Sequence, residues 1–210
     1  MNKSMYSLML MDEVVKEVDR YAYLHNTNRS NLINQILAEY LHVKTPEMIS
    51  REVFQLIAQL IENEPFKVVL PLSGNSLSIR SSLQYKYRPT IRYSIELYRS
   101  FTDGVGELTV TFRTQSIQLL SELAGFFNNW MAAEENYSDC RLQYFPESGK
   151  FVRQLKLRGG IDYQDIGTAL ANYILMFDEI LKTHLDKGYA GYDELVEDYL
   201  RLVDYYKLEI

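Results

Sequence analysis

The chain has 210 residues, 47% hydrophobic and 24% charged, with 28 acidic against 22 basic side chains and a net charge of −6. This is ordinary globular composition, enough for one domain or two of unequal size, and the acidic balance excludes indiscriminate coating of nucleic acid while leaving room for a small DNA-binding patch. No apolar run approaches the roughly 20 residues that span a bilayer, and residues 1 to 12 lack a signal-peptide profile, so a cytoplasmic protein without membrane contact is expected.

The first predicted element is a short strand, Met5 to Leu10, with Tyr6, Leu8 and Leu10 on one face and Met5, Ser7 and Met9 on the other. Asp12 then offers an N-cap, and Val14, Val15, Val18, Tyr21 and Ala22 recur at helical spacing until Asn26, a residue that tolerates the left-handed conformation at helix ends. A second helix starts at Asn28 or Ser30 and carries Leu32, Ile33, Ile36, Leu37, Tyr40 and Leu41 on one stripe, ending around Val43. One strand and two amphipathic helices cannot enclose a core. Two chains pairing their strands antiparallel and interlocking their helices would solve that problem.

The strand YSLMLMDE, the helix EVVKEVDRYAYLHN and the segment TNRSNLINQILAEYL, with its Arg29-Ser30 pair, resemble the ribbon-helix-helix family of Arc, MetJ and CopG over residues 3–43. The resemblance implies an intertwined homodimer, or a higher homo-oligomer, whose two-stranded ribbon lies in the major groove of double-stranded DNA. Lys3, Met5, Ser7 and Met9 would then face the bases, and Asn28, Arg29, Ser30 and Asn31 a phosphate at the start of the second helix. Members of the family usually place Arg, Lys, Asn or Gln on the outer strand face. This chain has Ser7 between two methionines, and residues 1 to 45 hold five acids and five bases.

Thr45-Pro46 is the expected joint between module 1–44 and a second domain, 45–210, since proline suits the first turn of a helix. Ile49, Val53, Leu56, Ile57, Leu60 and Ile61 mark a helix that stops before Pro65. Strands are expected over Phe66 to Leu72, Ser76 to Tyr87, Thr90 to Ser100 and Glu107 to Arg113, the last two joined by a turn at Asp103-Gly104 and Gly106. A helix through Leu120, Leu123, Phe127 and Trp130 follows, then a hairpin of Cys140 to Phe145 and Lys150 to Arg158 about a Pro-Glu-Ser-Gly turn. Two closing helices are separated by Gly188 and Gly191. This order points to an α+β domain with an antiparallel sheet packed against helices.

Residues 66 to 113 carry seven cations against three acids, Glu96, Asp103 and Glu107. Arg80, Lys86, Arg88, Arg92 and Arg99, joined by Arg141, Lys150, Arg153, Lys156 and Arg158 in the hairpin and interleaved with Tyr85, Tyr87, Tyr93, Tyr98 and Tyr144, form a candidate face for single-stranded nucleic acid or an anionic ligand; the competing reading is a solvated sheet face whose charges discourage edge pairing. The 17 tyrosines, several near the C-terminus, offer a candidate protein-partner surface or plain core packing. No catalytic residues are identified. Ser73-Gly74-Asn75-Ser76 lacks the lysine of a phosphate loop, no nucleophile elbow is present, and the carboxylates Asp162, Asp165, Asp178 and Glu179 are read as solvent-facing. Three scattered histidines and the lone Cys140 give no metal-ligand spacing and no internal disulfide, so neither metal nor cofactor is expected.

The sequence therefore reads as a non-enzymatic homodimeric transcriptional regulator of repressor type, nucleoid-associated where it binds DNA, with a C-terminal regulatory or oligomerisation domain. The alternative is a protein-interaction module of antitoxin or partition-adaptor type, with the ribbon-helix-helix used for dimerisation alone and a protein partner on the C-terminal domain.

Overall fold

The computed structural model describes residues 5–62, 64–69, 75–85, 88–99, 104–138, 140–156, 163–189 and 191–206, with residues 163 and 164 described for the backbone alone. The chain divides into two compact units, Met1–Ile49 and Ser50–Ile210.

The first unit is built on α1 (Asp12–Leu24) and α2 (Arg29–Tyr40). Residues 5–11 carry no hydrogen-bonded ladder, so the first element of the chain is a helix and the expected opening strand is absent from the single chain. A strand requires a partner, and within one copy this segment finds none. The expected cap is also corrected: the N-cap is Met11, in extended conformation, and Asp12 stands with Glu13 inside the first turn. There both carboxylates favour the positive end of the helix without accepting a cap hydrogen bond. Asn26 adopts φ 50 just past α1, as its tolerance of the left-handed region leads one to expect. Of the two candidate caps for α2, Asn28 is the one used, its Oδ1 accepting from the Asn31 N–H at 2.9 Å. The core of this unit is small, Val18, Ala22 and Leu32 with Ile33 packed beside them.

The unit boundary falls within α3 (Pro46–Leu60), which begins at the proline of the predicted joint. The second unit is α+β, with a six-stranded, wholly antiparallel sheet, and the described residues of the whole chain form six α-helices. Its strands are β1 (Lys67–Val69), β2 (Ser76–Ser82), β3 (Thr90–Leu97), β4 (Gly106–Arg113), β5 (Leu142–Phe145) and β6 (Lys150–Leu155), in spatial order β1-β2-β3-β4-β6-β5. The helices are α4 (Ile117–Tyr137), α5 (Tyr163–Lys187) and α6 (Tyr192–Tyr206).

Period-two alternation fixes the faces. Leu77 and Ile79 of β2, Ile91, Tyr93, Ile95 and Leu97 of β3, Leu108, Val110 and Phe112 of β4, and Phe151 and Leu155 of β6 are buried on the inner face. Against them pack Phe126, Phe127 and Trp130 of α4 and Phe177 of α5. The Phe177 ring lies 5.0 Å from Trp130, 5.8 Å from Phe151 and 6.1 Å from Tyr93, so one aromatic side chain joins sheet, α4 and α5. Tyr199 of α6 completes the cluster at 5.4 Å from Trp130. Close backbone approach is set at Gly106, where a Cβ would meet the Glu96 carbonyl oxygen at 2.1 Å; only glycine fits there. No described helix is long and apolar enough to cross a membrane.

Candidate nucleic-acid interface

The N-terminal set comes first. Met5, Ser7 and Met9 are exposed ahead of α1, and Asn28, Arg29, Ser30 and Asn31 are exposed at the start of α2; Lys3 lies outside the described residues. Asn28 is committed as a cap, and Arg29 is not free in the single chain. Its Nε donates to Asp19 Oδ1 at 2.7 Å and its Nη2 to Asp19 Oδ2 at 2.5 Å, a two-pronged pair clasping the start of α2 to α1. The Arg29 guanidinium holds the Asp19 carboxyl below its ordinary pKa. A phosphate at this helix start would therefore compete with a carboxylate for the same guanidinium.

In the second unit the antiparallel register produces an arrangement that charge counting alone does not reveal. Lys67 stands opposite Arg80, Arg80 opposite Arg92, Arg92 opposite Thr111, and Thr111 opposite Lys150. Residues paired in this way share a face, so Lys67, Arg80, Arg92 and Lys150 form one row across five strands on the outer face of the sheet. Arg113 joins from the next row, opposite Thr90. Around them the face carries Ser78, Ser82, Ser94 and Thr109. At the far end Glu96 and Glu107 stand opposite each other. Lys67, Arg80 and Arg113 are exposed, and Arg92 and Lys150 half-buried. No described carboxylate lies within ion-pairing distance of any of the five. Lys150 leans toward the Phe145 ring, 5.7 Å from its centroid.

Of the expected cationic face, Arg80, Arg92 and Lys150 are thus brought together, Lys67 belongs with them, and Tyr93 faces the core instead. Arg88 is exposed in the β2–β3 connection, at φ 45, and Arg99 is exposed beyond the end of β3. Lys86 and Arg158 lie outside the described residues.

Arg153 is a correction. It points to the inner face, 1% exposed, where its Nε donates to Oε2 of Glu134 at 2.8 Å and its guanidinium lies 4.2 Å from the centre of the Tyr173 ring. Burial works against the charged guanidinium, but the Glu134 carboxylate outweighs it and holds the pKa above the ordinary arginine value. Asp178 is a second correction. Read as solvent-facing, it is 5% exposed and accepts from the Tyr93 hydroxyl at 2.6 Å and from Lys182 Nζ, which also donates to Ser81 Oγ at 2.8 Å. Burial first, and the Asp178 charge second, push the Tyr93 hydroxyl well above its usual pKa. These polar groups tie α4 and α5 to the sheet. Ser81, beside a lysine amine as a nucleophile would be, is 3% exposed and so does not present its hydroxyl to solvent. Asp165 and Glu179 are exposed as expected, and Asp162 lies outside the described residues.

An open cleft of about 1150 Å³ lies at the end of the sheet where the cationic row stands, bordered by Gln84, Tyr85, Arg113, Gln115 and Gln118. Among the described residues its one charged lining group is Arg113. Among the described residues, no three His, Cys, Asp or Glu side chains come together as a metal site.

No protein-family model, curated protein or solved structure matches this chain.

Proposed function

We propose that this protein is a homodimeric DNA-binding regulator of the repressor type, in which residues 5–43 of two copies intertwine as a ribbon-helix-helix and the second unit serves regulation or oligomerisation. The observation that carries this reading is the unfinished core of the first unit. Of the six apolar side chains on the α2 stripe, only Leu32 and Ile33 are withdrawn from water, while Ile36, Leu37, Tyr40 and Leu41 remain 47–81% exposed. Leu8, Leu10, Val14 and Tyr21 are exposed as well. Burying a large apolar side chain contributes on the order of 1.5–3 kcal/mol, so a second copy covering this surface supplies the stability that so small a core cannot. It also supplies the missing hydrogen-bonding edge for residues 5–10.

A second reading, a protein-interaction module of antitoxin or adaptor type that dimerises by the same segment without reading DNA, is favoured by the Arg29–Asp19 pair and by the methionines flanking Ser7. Selection of bound sequences from random duplex DNA, run beside sedimentation of the same sample, decides between them. Enrichment of a palindromic site by the wild type, lost in a Ser7→Ala, Arg29→Ala double variant that stays dimeric, supports the regulator. A folded dimer that enriches nothing leaves the interaction module, and a monomer at micromolar concentration removes both.

A further inference from the structure

We propose that the outer face of the six-stranded sheet is a contact surface for the sugar-phosphate backbone of double-stranded DNA, held by the row Lys67, Arg80, Arg92 and Lys150 with Arg113 beside it. This goes beyond the ribbon and does not depend on the ribbon reading bases.

Three features of the face converge. The first is the uncompensated like charge. Lys67, Arg80 and Arg92 stand directly opposite one another on adjacent strands, an arrangement that opposes folding unless an anion sits over it. No described carboxylate does so, although the protein as a whole has an excess of acids. The second is length. Lys67 and Lys150 are separated by four strand spacings, about 19 Å, too far for one phosphate group to bridge. The winding of a duplex places successive phosphates of one strand about 7 Å apart for an axial rise of about 3.4 Å, so the row matches three or four of them.

The third feature is what the face lacks. Single-stranded nucleic acid is held by stacking bases on aromatic side chains between the cations. On the central strands the row holds Thr111 and is flanked by Ser78, Ser82, Thr90, Ser94 and Thr109, hydroxyls that donate to phosphate oxygens and offer no ring, while the exposed Phe145 ring stands at the sheet edge beside Lys150. The aromatic side chains of the core point to the opposite face. A duplex presents its phosphates outward and asks for this chemistry. The Glu96–Glu107 pair sits four residues along from Arg92, about 13 Å away, and repels phosphate from that end, so the backbone tracks along the cationic row rather than along the strands.

The test uses the full-length protein and an Arg80→Ser, Arg92→Ser variant, binding a labelled random-sequence 20-base-pair duplex across a series of sodium chloride concentrations. Expected is a loss of at least tenfold in affinity at low salt and a logarithmic salt slope shallower by about two, one for each phosphate contact removed. The same variant should unfold at a higher temperature, since like charges have been taken out of adjacent strands; a merely structural pair would move stability the other way. The Ser7→Ala, Arg29→Ala variant should keep the sheet-dependent part of the slope, which separates failure of this face from failure of the ribbon. Unchanged affinity and slope in the Arg80→Ser, Arg92→Ser variant would overturn the proposal. So would the absence of wild-type binding to the duplex at 50 mM salt, or tighter binding of a single strand that depends on the same two arginines.

Discussion

Arg153 and Glu134 show how one residue's environment reverses its meaning. A hydrogen-bonded ion pair with both partners withdrawn from water contributes little net stability, yet removing one member strands the other in a low-dielectric interior. Glu134→Gln is therefore expected to destabilise the second unit by roughly 3–5 kcal/mol, whereas Glu134→Leu with Arg153→Met should recover most of that loss. Urea unfolding of the three proteins checks the contrast. The placement of Arg153 was within reach of the sequence: it shares parity with Phe151 and Leu155, the apolar positions of β6, so alternation assigns it to the core. Counting it with the other cations overrode that signal. Asp178 was similarly marked by position, four residues after Ile174 and three before Leu181 on the buried stripe of α5. Its partner Lys182, four residues on, is visible in the helical spacing, but Tyr93 comes from a distant strand and no pattern within the helix announces it.

Elements as wholes were more legible. Strand-rich stretches between turn residues located all six strands, with alternation plain in β3, and helical spacing located α3 to α6, because the longer elements repeat their period against a buried face. The cationic row was not legible, since it depends on the register of four separate strand pairs, and composition carries no register. At the C-terminal end of α5 two element-scale effects compete. The helix dipole favours a protonated His184 in the last turn, but burial, with Phe126 at 5.3 Å and Tyr189 at 5.5 Å between ring centres, disfavours the cation and prevails. The folded-state pKa of His184 is thus below its ordinary value near 6.5. The unfolded chain takes up the proton first, so stability should fall as pH drops below about 6.5, down to the folded pKa, and be unaffected by this group above that. Thermal unfolding of wild type and His184→Gln between pH 7.5 and 5 should show a shallower acid decline in the variant.

At the scale of the molecule the two units differ in what completes them. The second encloses its own aromatic core, while the first leaves most of its α2 stripe in water. If the first unit is finished by a second copy, its melting must be linked to association and that of the second unit need not be. Calorimetry over a hundredfold range of protein concentration should therefore move one transition upward with concentration and leave the other in place; two stationary transitions would count against dimerisation through residues 5–43. The sheet order also sets the sequence of events in assembly. Four of its five ladders join strands adjacent in the chain, but β4 meets β6 only after the whole of Thr114 to Gly149, α4 included, has been brought round. Hairpins form in microseconds, whereas this long closure waits on α4 reaching its place, where Phe127 stacks on Phe151 at 4.9 Å. Until then Leu108 and Val110 lie on an unpaired edge that the β6 of a neighbouring chain can fill as well as its own, which makes the β5–β6 hairpin the segment two nascent copies would exchange.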